Sequence, residues 1–497
     1  MSTSTARRVI IIGGGASGAL LAYQLLRDPS SDFRVTLIEK RSDIGRGVAY
    51  STVRNEHLLN VHAANMSALP DDPDHFWRWL SAREEHRPLS FDRDCFVPRR
   101  IYGEYITSLI EAHASNVKSC GRLTILRKEC VEVTETASCV SVTLKDGTWL
   151  AGDVAILATG HEQAVPRSSC HADPRVDLRV DPRVDPWAPS ATAIDKDATV
   201  LIVGTGLTMV DYVSSLLCGG HRGPVIAMSR RGLIPNAHRR VAPMRIEEAD
   251  VPFGASATHL LRWFRGRIDR HIAQGGDWRS VIDAVRPFTQ RLWRQLSLDS
   301  RRRFLKHAGA WWDVHRHRMA PEAEARIKNA RTDGSLRLMA AKITAIEPNA
   351  GGALVRYRRR GRSETESLQV GKIVDCTGIV RDPRATANPA VRSLFDQGLI
   401  RTDPLRIGLD VASNCALINQ DGSPSERLFA VGPLTRAAFW EIIAIPDIRN
   451  QCAELAAHLV QSYCSVGQGP WQSAPETANQ PVASQDFASQ DIVSADT

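Results

Sequence analysis

Three glycines near the start of the chain have the spacing of a dinucleotide-binding turn. Gly13, Gly15 and Gly18 form a G-x-G-x-x-G motif directly after the apolar residues 9–12. In such a turn the first glycine allows a tight bend, the second lets the backbone approach a pyrophosphate, and the third lets the following helix pack closely on the strand. The motif alone is common, so its meaning depends on its surroundings. A glycine-rich turn that serves only packing is the alternative.

The surroundings of this motif complete a βαβ unit. Residues 9–12 form a short run of β-branched side chains, as in a buried parallel strand, and the apolar side chains of residues 19–27 have helical spacing. Ala16 and Ser17 would start that helix and present free backbone N–H groups to a phosphate. Glu39 ends a second strand about twenty residues after the glycines, where a carboxylate accepts hydrogen bonds from ribose hydroxyls. The unit therefore predicts a dinucleotide site.

A second glycine turn follows residues 199–203 and departs from the first in two ways. Gly204 and Gly206 keep their places, but methionine stands where the third glycine would be, so this helix must lie slightly farther from its strand. The next strand ends in Arg230 and Arg231 rather than in an acid. Guanidinium groups pair bidentately with phosphate, which favours NADPH over NADH at this site. The alternative is that both arginines are solvated loop charges.

An internal repeat indicates how the two units are joined. Residues 123–160 run through a strand, a hairpin and a final strand that ends in Thr-Gly at Gly160. Residues 336–378 repeat that plan and end in Thr-Gly at Gly378. Each copy follows one βαβ unit, so we predict that the second nucleotide-binding domain is inserted into a discontinuous first domain.

The predicted fold is therefore α/β, with two Rossmann-like dinucleotide-binding domains and a mostly helical insertion. Residues 437–443 are expected to form a helix after a short strand that ends at Gly432. The predicted boundaries are 1–165 and 372–466 for the first domain, 198–371 for the second, about 249–330 for the helical insertion within it, 166–197 for a linker and 467–497 for a disordered tail.

The composition of the 497 residues is that of a globular protein, with 43% hydrophobic and 24% charged residues. The net charge of +8 lies largely within residues 220–331. Such an excess attracts nucleic acid, a membrane surface or cofactor phosphates, or forms a solvated helix face. The ten cysteines include no C-x-x-C pair, which argues against a zinc ribbon and a dithiol site and favours a reduced, cytoplasmic protein. No stretch is apolar enough to span a bilayer, and we predict no membrane partner. We also predict no nucleic-acid partner, because a solvated helix face is the first-ranked interpretation of the basic region.

Residues 311–319 combine tryptophans, arginines and histidines. His315 and His317 alternate as two ligands on a strand would, but no third ligand has a convincing spacing, so we predict no metal. A substrate-facing patch is the better interpretation, because arginine and protonatable histidine suit a carboxylate or a phosphate.

Several further segments resemble the bacterial FAD/NAD(P)-binding family. That family is related to two-dinucleotide-domain flavoproteins, which include the flavin monooxygenases and amine N-hydroxylases. The resemblance runs from Arg8 to about Leu459 and is carried by residues 45–50, 58–61, 65–67, 70–76, 96–103 and 432–436.

The resemblance implies FAD at the first glycine turn and NADPH at the second. It would place Asn60, Met66 and Ser67 beside the isoalloxazine ring, with loop capping and ordinary core packing as the alternative roles. It also implies that the turn at Gly432 and Pro433 directs backbone N–H groups at the flavin, the alternative being a simple strand-to-helix turn.

The function that follows is an NADPH-dependent flavin monooxygenase. Its expected substrate is a small polar molecule, anionic or zwitterionic, such as an amine or an amino acid, and a homo-oligomer is possible. A reductase that does not oxygenate and a non-catalytic, redox-sensing flavoprotein are the alternatives.

Overall fold

The structure is a computed structural model that describes residues 6–28, 31–86, 92–115, 121–161, 183–184, 194–377 and 382–464. The first part of the chain forms β1 (Arg7–Ile12), α1 (Ala16–Leu26), β2 (Phe33–Ile38), α2 (Gly47–Tyr50), α3 (His75–Ser81), α4 (Arg99–Ser115), β3 (Leu123–Leu126), β4 (Cys130–Glu135), β5 (Val140–Leu144), β6 (Trp149–Gly152) and β7 (Val154–Leu157).

The middle of the chain forms the second set of elements. These are β8 (Arg183–Val184), β9 (Val200–Val203), α5 (Leu207–Cys218), β10 (Val225–Ser229), α6 (Ala257–Ala273), α7 (Trp278–Val285), α8 (Thr289–Gln295), α9 (Leu298–Arg303), α10 (Gly309–Arg316), α11 (Pro321–Thr332), β11 (Leu336–Asn349), β12 (Gly352–Arg359), β13 (Glu366–Val370) and β14 (Lys372–Asp375). The chain then forms α12 (Pro389–Asp396), β15 (Ala416–Ile418), β16 (Pro424–Ala430) and α13 (Ile445–Cys464).

The first sheet has six strands in the order β15-β16-β7-β1-β2-β3. The run from β16 to β3 is parallel, and β15 joins its edge antiparallel to β16. The apolar side chains of β1 and β7 are buried because helices cover both faces of a parallel sheet. Strands β4, β5 and β6, which lie between β3 and β7 along the chain, form a separate antiparallel sheet.

The second sheet has seven strands in the order β13-β12-β11-β10-β9-β14-β8. Strand β11 is 14 residues long and belongs to two kinds of pairing: its first half is parallel to β10, and its second half is antiparallel to β12. Two sheets with parallel centres, with a glycine turn after β1 in the first and after β9 in the second, confirm the predicted α/β fold with two Rossmann-like domains. The return of the chain to the first sheet through β15 and β16 confirms that the first domain is discontinuous.

Two predicted boundaries are wrong. The boundary predicted at residue 372 assigns β14 to the returning first domain. The strand instead pairs with β9 in the second sheet, just as β7 pairs with β1 in the first. Each strand that leads into a Thr-Gly pair thus lies beside the strand that precedes the glycine turn of its own domain. The linker predicted at residues 166–197 contains β8, which extends the second sheet beyond β14. The rest of that linker up to residue 193, and the tail from 467, lie outside the described residues.

Helices α6 to α11 lie between β10 and β11, in the interval of the expected helical insertion. The insertion packs on the first domain through the side chain of Trp293. That indole stacks on Trp440 with ring centroids 4.2 Å apart, and its Nε1 donates a hydrogen bond to the carbonyl of Ala437 at 2.7 Å. No helix within the described part of the chain is both long and apolar enough to cross a membrane.

The helix predicted at residues 437–443 is absent, because that segment consists of turns. Glu441 has a φ of +66°, in the left-handed region that an α-helix cannot contain. The helix α13 begins instead at Ile445, with Pro446 in its first turn, where the missing N–H of proline costs no hydrogen bond.

Candidate functional site

Four strand ends of the first sheet bring predicted site residues to one edge. Gly13 follows β1, Glu39 follows β2, Gly160 lies beyond β7 and Gly432 lies beyond β16. Because these four strands are parallel, their carboxyl ends lie on the same side of the sheet. Ligands of doubly wound sheets bind in the crevice outside such ends.

In the first glycine turn, the first and last glycines of the motif, Gly13 and Gly18, have no room for a side chain. Gly13 has a φ of +107°, and a Cβ there would stand 2.5 Å from the carbonyl oxygen of Ala158. A Cβ on Gly18 would stand 1.9 Å from the carbonyl oxygen of Gly13. Gly15 has an ordinary φ of −71° and begins α1 without any side-chain cap. The N–H groups of Ala16 and Ser17 in the first helical turn are therefore left to bind an anion.

The carboxylate of Glu39 is held in place by backbone donors. The N–H of Gly14 donates to its Oε2 at 2.8 Å, and the N–H of Arg41 donates to its Oε1 at 2.9 Å. The acid therefore stands beside the glycine turn at the end of β2, where the ribose of a dinucleotide would reach it.

Sequence reasoning missed two neighbours of this turn. A Cβ on Gly15 would meet the Cα of Gly47 at 3.3 Å, so residues 45–47 form one wall of the turn. Beside Gly47, the Nε of Arg46 is buried with no hydrogen-bond partner among the described residues. An unsatisfied guanidinium next to a phosphate-binding turn fits a pyrophosphate, since burying such a donor without a partner costs about 1–3 kcal/mol. The G-R-G run of the family resemblance was the signal for these residues.

The turn at Gly432 lies beside the start of α1. Gly432 has a φ of +75°, and a Cβ there would meet the Oγ of Ser17 at 2.4 Å. Its N–H, however, donates to the buried side-chain oxygen of Gln451 at 2.7 Å, and Gln451 in turn donates to the hydroxyl of Thr435 at 2.9 Å. Pro433 has no N–H. Neither predicted residue therefore has a donor to direct at a ligand, and both serve to pack the turn on α1 and α13.

The three residues predicted to lie beside a flavin ring are in different environments. Met66 is 2% exposed and belongs to the main core. Ser67 is fully buried, and its hydroxyl donates to the carbonyl of Asp72 at 2.6 Å, which is loop capping. Asn60 is partly exposed, and its backbone carbonyl accepts a hydrogen bond from His238 of the second domain at 3.0 Å. Only Asn60 therefore faces the boundary between the two domains.

The second glycine turn repeats the geometry of the first. Gly204 has a φ of +110°, and its Cβ would stand 2.2 Å from the carbonyl oxygen of Cys376 after β14. Gly206 begins α5, and a Cβ there would meet no atom within 4 Å. Met209, in the place of the third glycine, is fully buried in the core of the second domain. Gly378 lies outside the described residues.

The two arginines after β10 have different surroundings. Arg231 donates from both terminal nitrogens to the carbonyls of His307 and Lys306, at 3.2 and 3.1 Å, and so ties the loop to the insertion. Arg230 is exposed, and no hydrogen bond or ion pair is formed by its side chain within the described ranges. Of the two, Arg230 is the one whose guanidinium is available to a 2′-phosphate.

Arg230→Ala is expected to weaken NADPH binding by about tenfold or more, because a charge-assisted hydrogen bond to phosphate contributes about 1.5–3 kcal/mol. NADH, which has no 2′-phosphate, should bind the variant and the wild type alike. The apparent constants for flavin reduction by each nucleotide measure this. Arg337→Ala, which removes an exposed arginine near the amino end of β11, is the control. Equal losses for NADPH and NADH would show that Arg230 does not read the phosphate.

A buried ion pair joins the two domains. Arg99 of α4 and Asp211 of α5 lie 2.9 Å apart, and both side chains are nearly inaccessible to solvent. Burial raises the pKa of Asp211 to about 6, although the Arg99 charge opposes that shift. Beside this pair, the Nε2 of His57 lies 2.7 Å from the hydroxyl of Ser215. The two domains therefore contact each other through polar side chains.

Histidines around the domain boundary are held neutral. Burial lowers the pKa of His57, His161 and His317 to about 4, and that of His238 to about 3. The positive charges of Arg318 and Arg316 lower the pKa of His238 further. The suggestion that His317 offers a positive charge to an anion near neutral pH is therefore wrong.

The depressed pKa of His238 predicts a loss of stability in mild acid. In the unfolded chain this histidine binds a proton below about pH 6.5, whereas in the folded chain it stays neutral. The free energy of unfolding therefore falls by roughly 1 kcal/mol per pH unit as the pH decreases from 6.5 to 4.5. The free energy of unfolding, measured with urea at a series of pH values, should therefore fall less steeply with decreasing pH in His238→Gln than in the wild type. His259→Gln, at an exposed position, is the control. Identical slopes in all three proteins would contradict this result.

The described residues contain no group of three potential metal ligands. His315 and His317 lie at the end of α10 rather than on a strand, and the Nδ1 of His315 lies 2.7 Å from the carbonyl of Trp311.

Comparisons with known proteins agree with this geometry. Residues 10–162 match a family model described as FAD-NAD(P)-binding. No curated protein matches the chain by sequence. Among the solved structures that share its fold are three for which the match covers 92% of this chain and 99% of the other. They are the reduced form of ornithine hydroxylase from Pseudomonas aeruginosa (14% identity, TM-score 0.61), ornithine N-hydroxylase from Kutzneria sp. 744 (13%, 0.62) and L-lysine 6-monooxygenase from Pseudomonas syringae (15%, 0.62).

Proposed function

Since this chain carries an FAD-NAD(P)-binding domain within a flavoprotein fold of two dinucleotide-binding domains, we propose that it is an FAD- and NADPH-dependent monooxygenase. Its proposed substrate is a small polar amine or amino acid. The observation that carries the proposal is the pair of glycine turns, each at the carboxyl edge of its own sheet, joined by the buried Arg99–Asp211 pair. The fold shared with ornithine and lysine hydroxylases along nearly the whole chain supports it.

Named residues of the first domain would hold FAD. The N–H groups of Ala16 and Ser17 would bind its pyrophosphate, with Arg46 as a further donor, and Glu39 would accept from its ribose. Gly204 and Gly206 would bind the pyrophosphate of NADPH, and Arg230 its 2′-phosphate. When bound, FAD supplies hydride acceptance from NADPH and electron transfer to dioxygen; the protein orients the two nucleotides and excludes water.

The cysteine pattern separates this proposal from a dithiol reductase. No C-x-x-C pair occurs anywhere in the sequence, so the chain lacks the sequence motif of a dithiol that receives electrons from a flavin. Oxygen or an external acceptor is left as the destination of the electrons.

The proposal is tested by following the electrons from NADPH. Purified protein with FAD is given NADPH, air and a panel that contains L-ornithine, L-lysine and simple amines, and NADPH consumption, hydrogen peroxide and oxygenated product are measured together. A monooxygenase should respond to at least one compound with faster NADPH consumption, less peroxide and a product that has gained one oxygen atom. If every electron pair ends in hydrogen peroxide whichever compound is offered, the protein is a reductase that does not oxygenate.

Asn60 is the residue we propose to favour oxygenation over peroxide release. Its backbone carbonyl accepts a hydrogen bond from His238 of the second domain, which places the residue at the domain boundary, and a side-chain amide donor there would stabilise charge that develops on oxygen. Asn60→Ala should keep FAD bound and raise the fraction of NADPH electrons released as peroxide. Asn65→Ala, an exposed neighbour in the same loop, is the control. An unchanged peroxide fraction in Asn60→Ala would remove this residue from the proposal.

A further inference from the structure

The first half of β11 has a neighbouring strand on only one side. Residues 336–340 pair with β10, whereas β12 pairs with β11 only from Ala341 onwards. Strand β12 ends at Arg359, and the chain then turns into β13. The position in the sheet beside the first half of β11 is therefore filled by no strand of the described residues. An edge of this kind presents its backbone hydrogen-bonding groups to an incoming chain.

The backbone groups on this edge follow from the alternation along a strand. The carbonyl of Ser335 accepts a hydrogen bond from the N–H of Val225 in β10, so the odd-numbered residues of this half turn their backbone groups towards β10. Leu336 and Leu338 therefore turn theirs to the other side. On that side, the carbonyl of Ala340 accepts a hydrogen bond from the turn after β12. The N–H and C=O groups of Leu336 and Leu338 are left for a further strand.

A cleft of about 610 Å³ runs along this edge, and we call it the basic cleft. Its lining consists of Lys328, Arg331 and Thr332 of α11, residues 336–339 of β11, and Arg359 at the end of β12. All four cationic side chains of the lining are exposed. The lining contains no carboxylate from the part of the chain that the structure describes.

Three of the four cations in the basic cleft are unpaired. Arg359 forms an ion pair with Glu366 at 2.8 Å. The side chains of Lys328, Arg331 and Arg337 form no hydrogen bond or ion pair with any residue in the described ranges. Because Glu366 neutralises Arg359, the cleft keeps three positive charges. Such charges oppose pairing of this edge with a second basic strand and favour a strand that carries carboxylates.

The basic cleft begins at the end of β10 that is opposite to the second glycine turn. Leu336 pairs with Val225, the first residue of β10, whereas Arg230 follows the last. Five strand residues separate these two positions by about 16 Å. An occupant of the cleft is therefore distinct from a nucleotide at the glycine turn, and the inference does not rest on the proposed function.

We propose that the first half of β11 is a docking site for an extended acidic segment of a partner protein, which adds to the second sheet as a strand. The backbone groups of Leu336 and Leu338 form main-chain hydrogen bonds with that segment. Lys328, Arg331 and Arg337 pair with its carboxylates. In strand addition of this kind the main-chain bonds give affinity, and the side chains give specificity.

The docking site is tested with a fluorescein-labelled heptapeptide in which glutamate and valine alternate, titrated with the full chain and followed by fluorescence anisotropy. Two further peptides are compared with it. One has glutamine in place of every glutamate, and it should bind about tenfold more weakly or worse because it lacks the charges. The other keeps every charge but is methylated at the backbone nitrogens of two adjacent central residues. It should also bind about tenfold more weakly or worse, because one of those N–H groups faces β11 in either orientation.

The matched variants are two double charge reversals with the same spacing on a helix. Lys328→Glu with Arg331→Glu should abolish the preference for the acidic peptide over the glutamine peptide. Arg262→Glu with Arg265→Glu, at two exposed positions of α6, makes the same change of charge away from the cleft and should leave that preference intact. Saturating NADP⁺ should not displace the peptide. Thermal unfolding of both variants is the control for folding.

Equal binding of the acidic and glutamine peptides would overturn the inference, as would equal binding of the methylated peptide, which would show attraction of any anion without strand addition. A preference that survives the reversal in α11, or that is lost equally with the reversal in α6, would contradict it as well. Displacement by NADP⁺ would place the peptide at the nucleotide turn instead. None of these results involves flavin reduction or oxygen, so failure of the docking site and failure of the monooxygenase proposal are distinguishable.

Discussion

Purified Gly15→Val protein is expected to be almost colourless. The φ of Gly15 is accessible to any residue, so the backbone tolerates the substitution. The added side chain would meet the wall formed by Gly47 and would occupy the space where the backbone must approach a pyrophosphate. The molar ratio of FAD to protein after purification should fall from near one to roughly a tenth or less.

Circular dichroism and thermal unfolding of the two proteins with their FAD removed are the control for folding. They should be similar, because the substitution is designed to block a ligand rather than a core. A Gly15→Val protein that retains stoichiometric FAD would show that the first glycine turn does not bind it.

Gly206→Val, at the corresponding place in the second turn, is expected to give the opposite result. A side chain at Gly206 meets no protein atom within 4 Å, so folding and FAD content should match the wild type. The branched side chain would lie where the NADPH pyrophosphate must pass, and the apparent constant for flavin reduction should rise by about a hundredfold or more. The measurement is anaerobic reduction of the yellow variant over a range of NADPH concentrations. Unimpaired reduction would contradict the assignment of this turn.

The sequence predicted the fold well because its strongest signals are local. A short apolar strand, a glycine turn, a helix and a second strand can be recognised within about thirty residues, and both units occur as predicted. The assignment of β14 failed for a physical reason. Its strand and Thr-Gly ending are alike in both copies of the repeat, and only pairing with β9, more than 160 residues earlier, decides which sheet contains it.

The sequence predicted the site residues whose roles depend on backbone geometry. It did not predict the roles that depend on which polar groups are buried and bonded within the protein. The glycines and Glu39 stand where the motif requires, since their roles follow from φ angles and strand ends. Ser67 and Gly432 were expected to face a ligand, but their polar groups are engaged within the protein. The unsatisfied donor of Arg46 could not be foreseen, because only the tertiary packing determines whether a donor lacks a partner.

The central claim is that the two glycine turns hold FAD and NADPH so that one reduces the other. Anaerobic stopped-flow mixing of the purified yellow protein with NADPH tests it most directly. The visible flavin absorbance should bleach in a single turnover, and faster with NADPH than with NADH at equal concentration. Flavin that stays oxidised with both nucleotides, in protein that retains its full complement of FAD, would contradict the account.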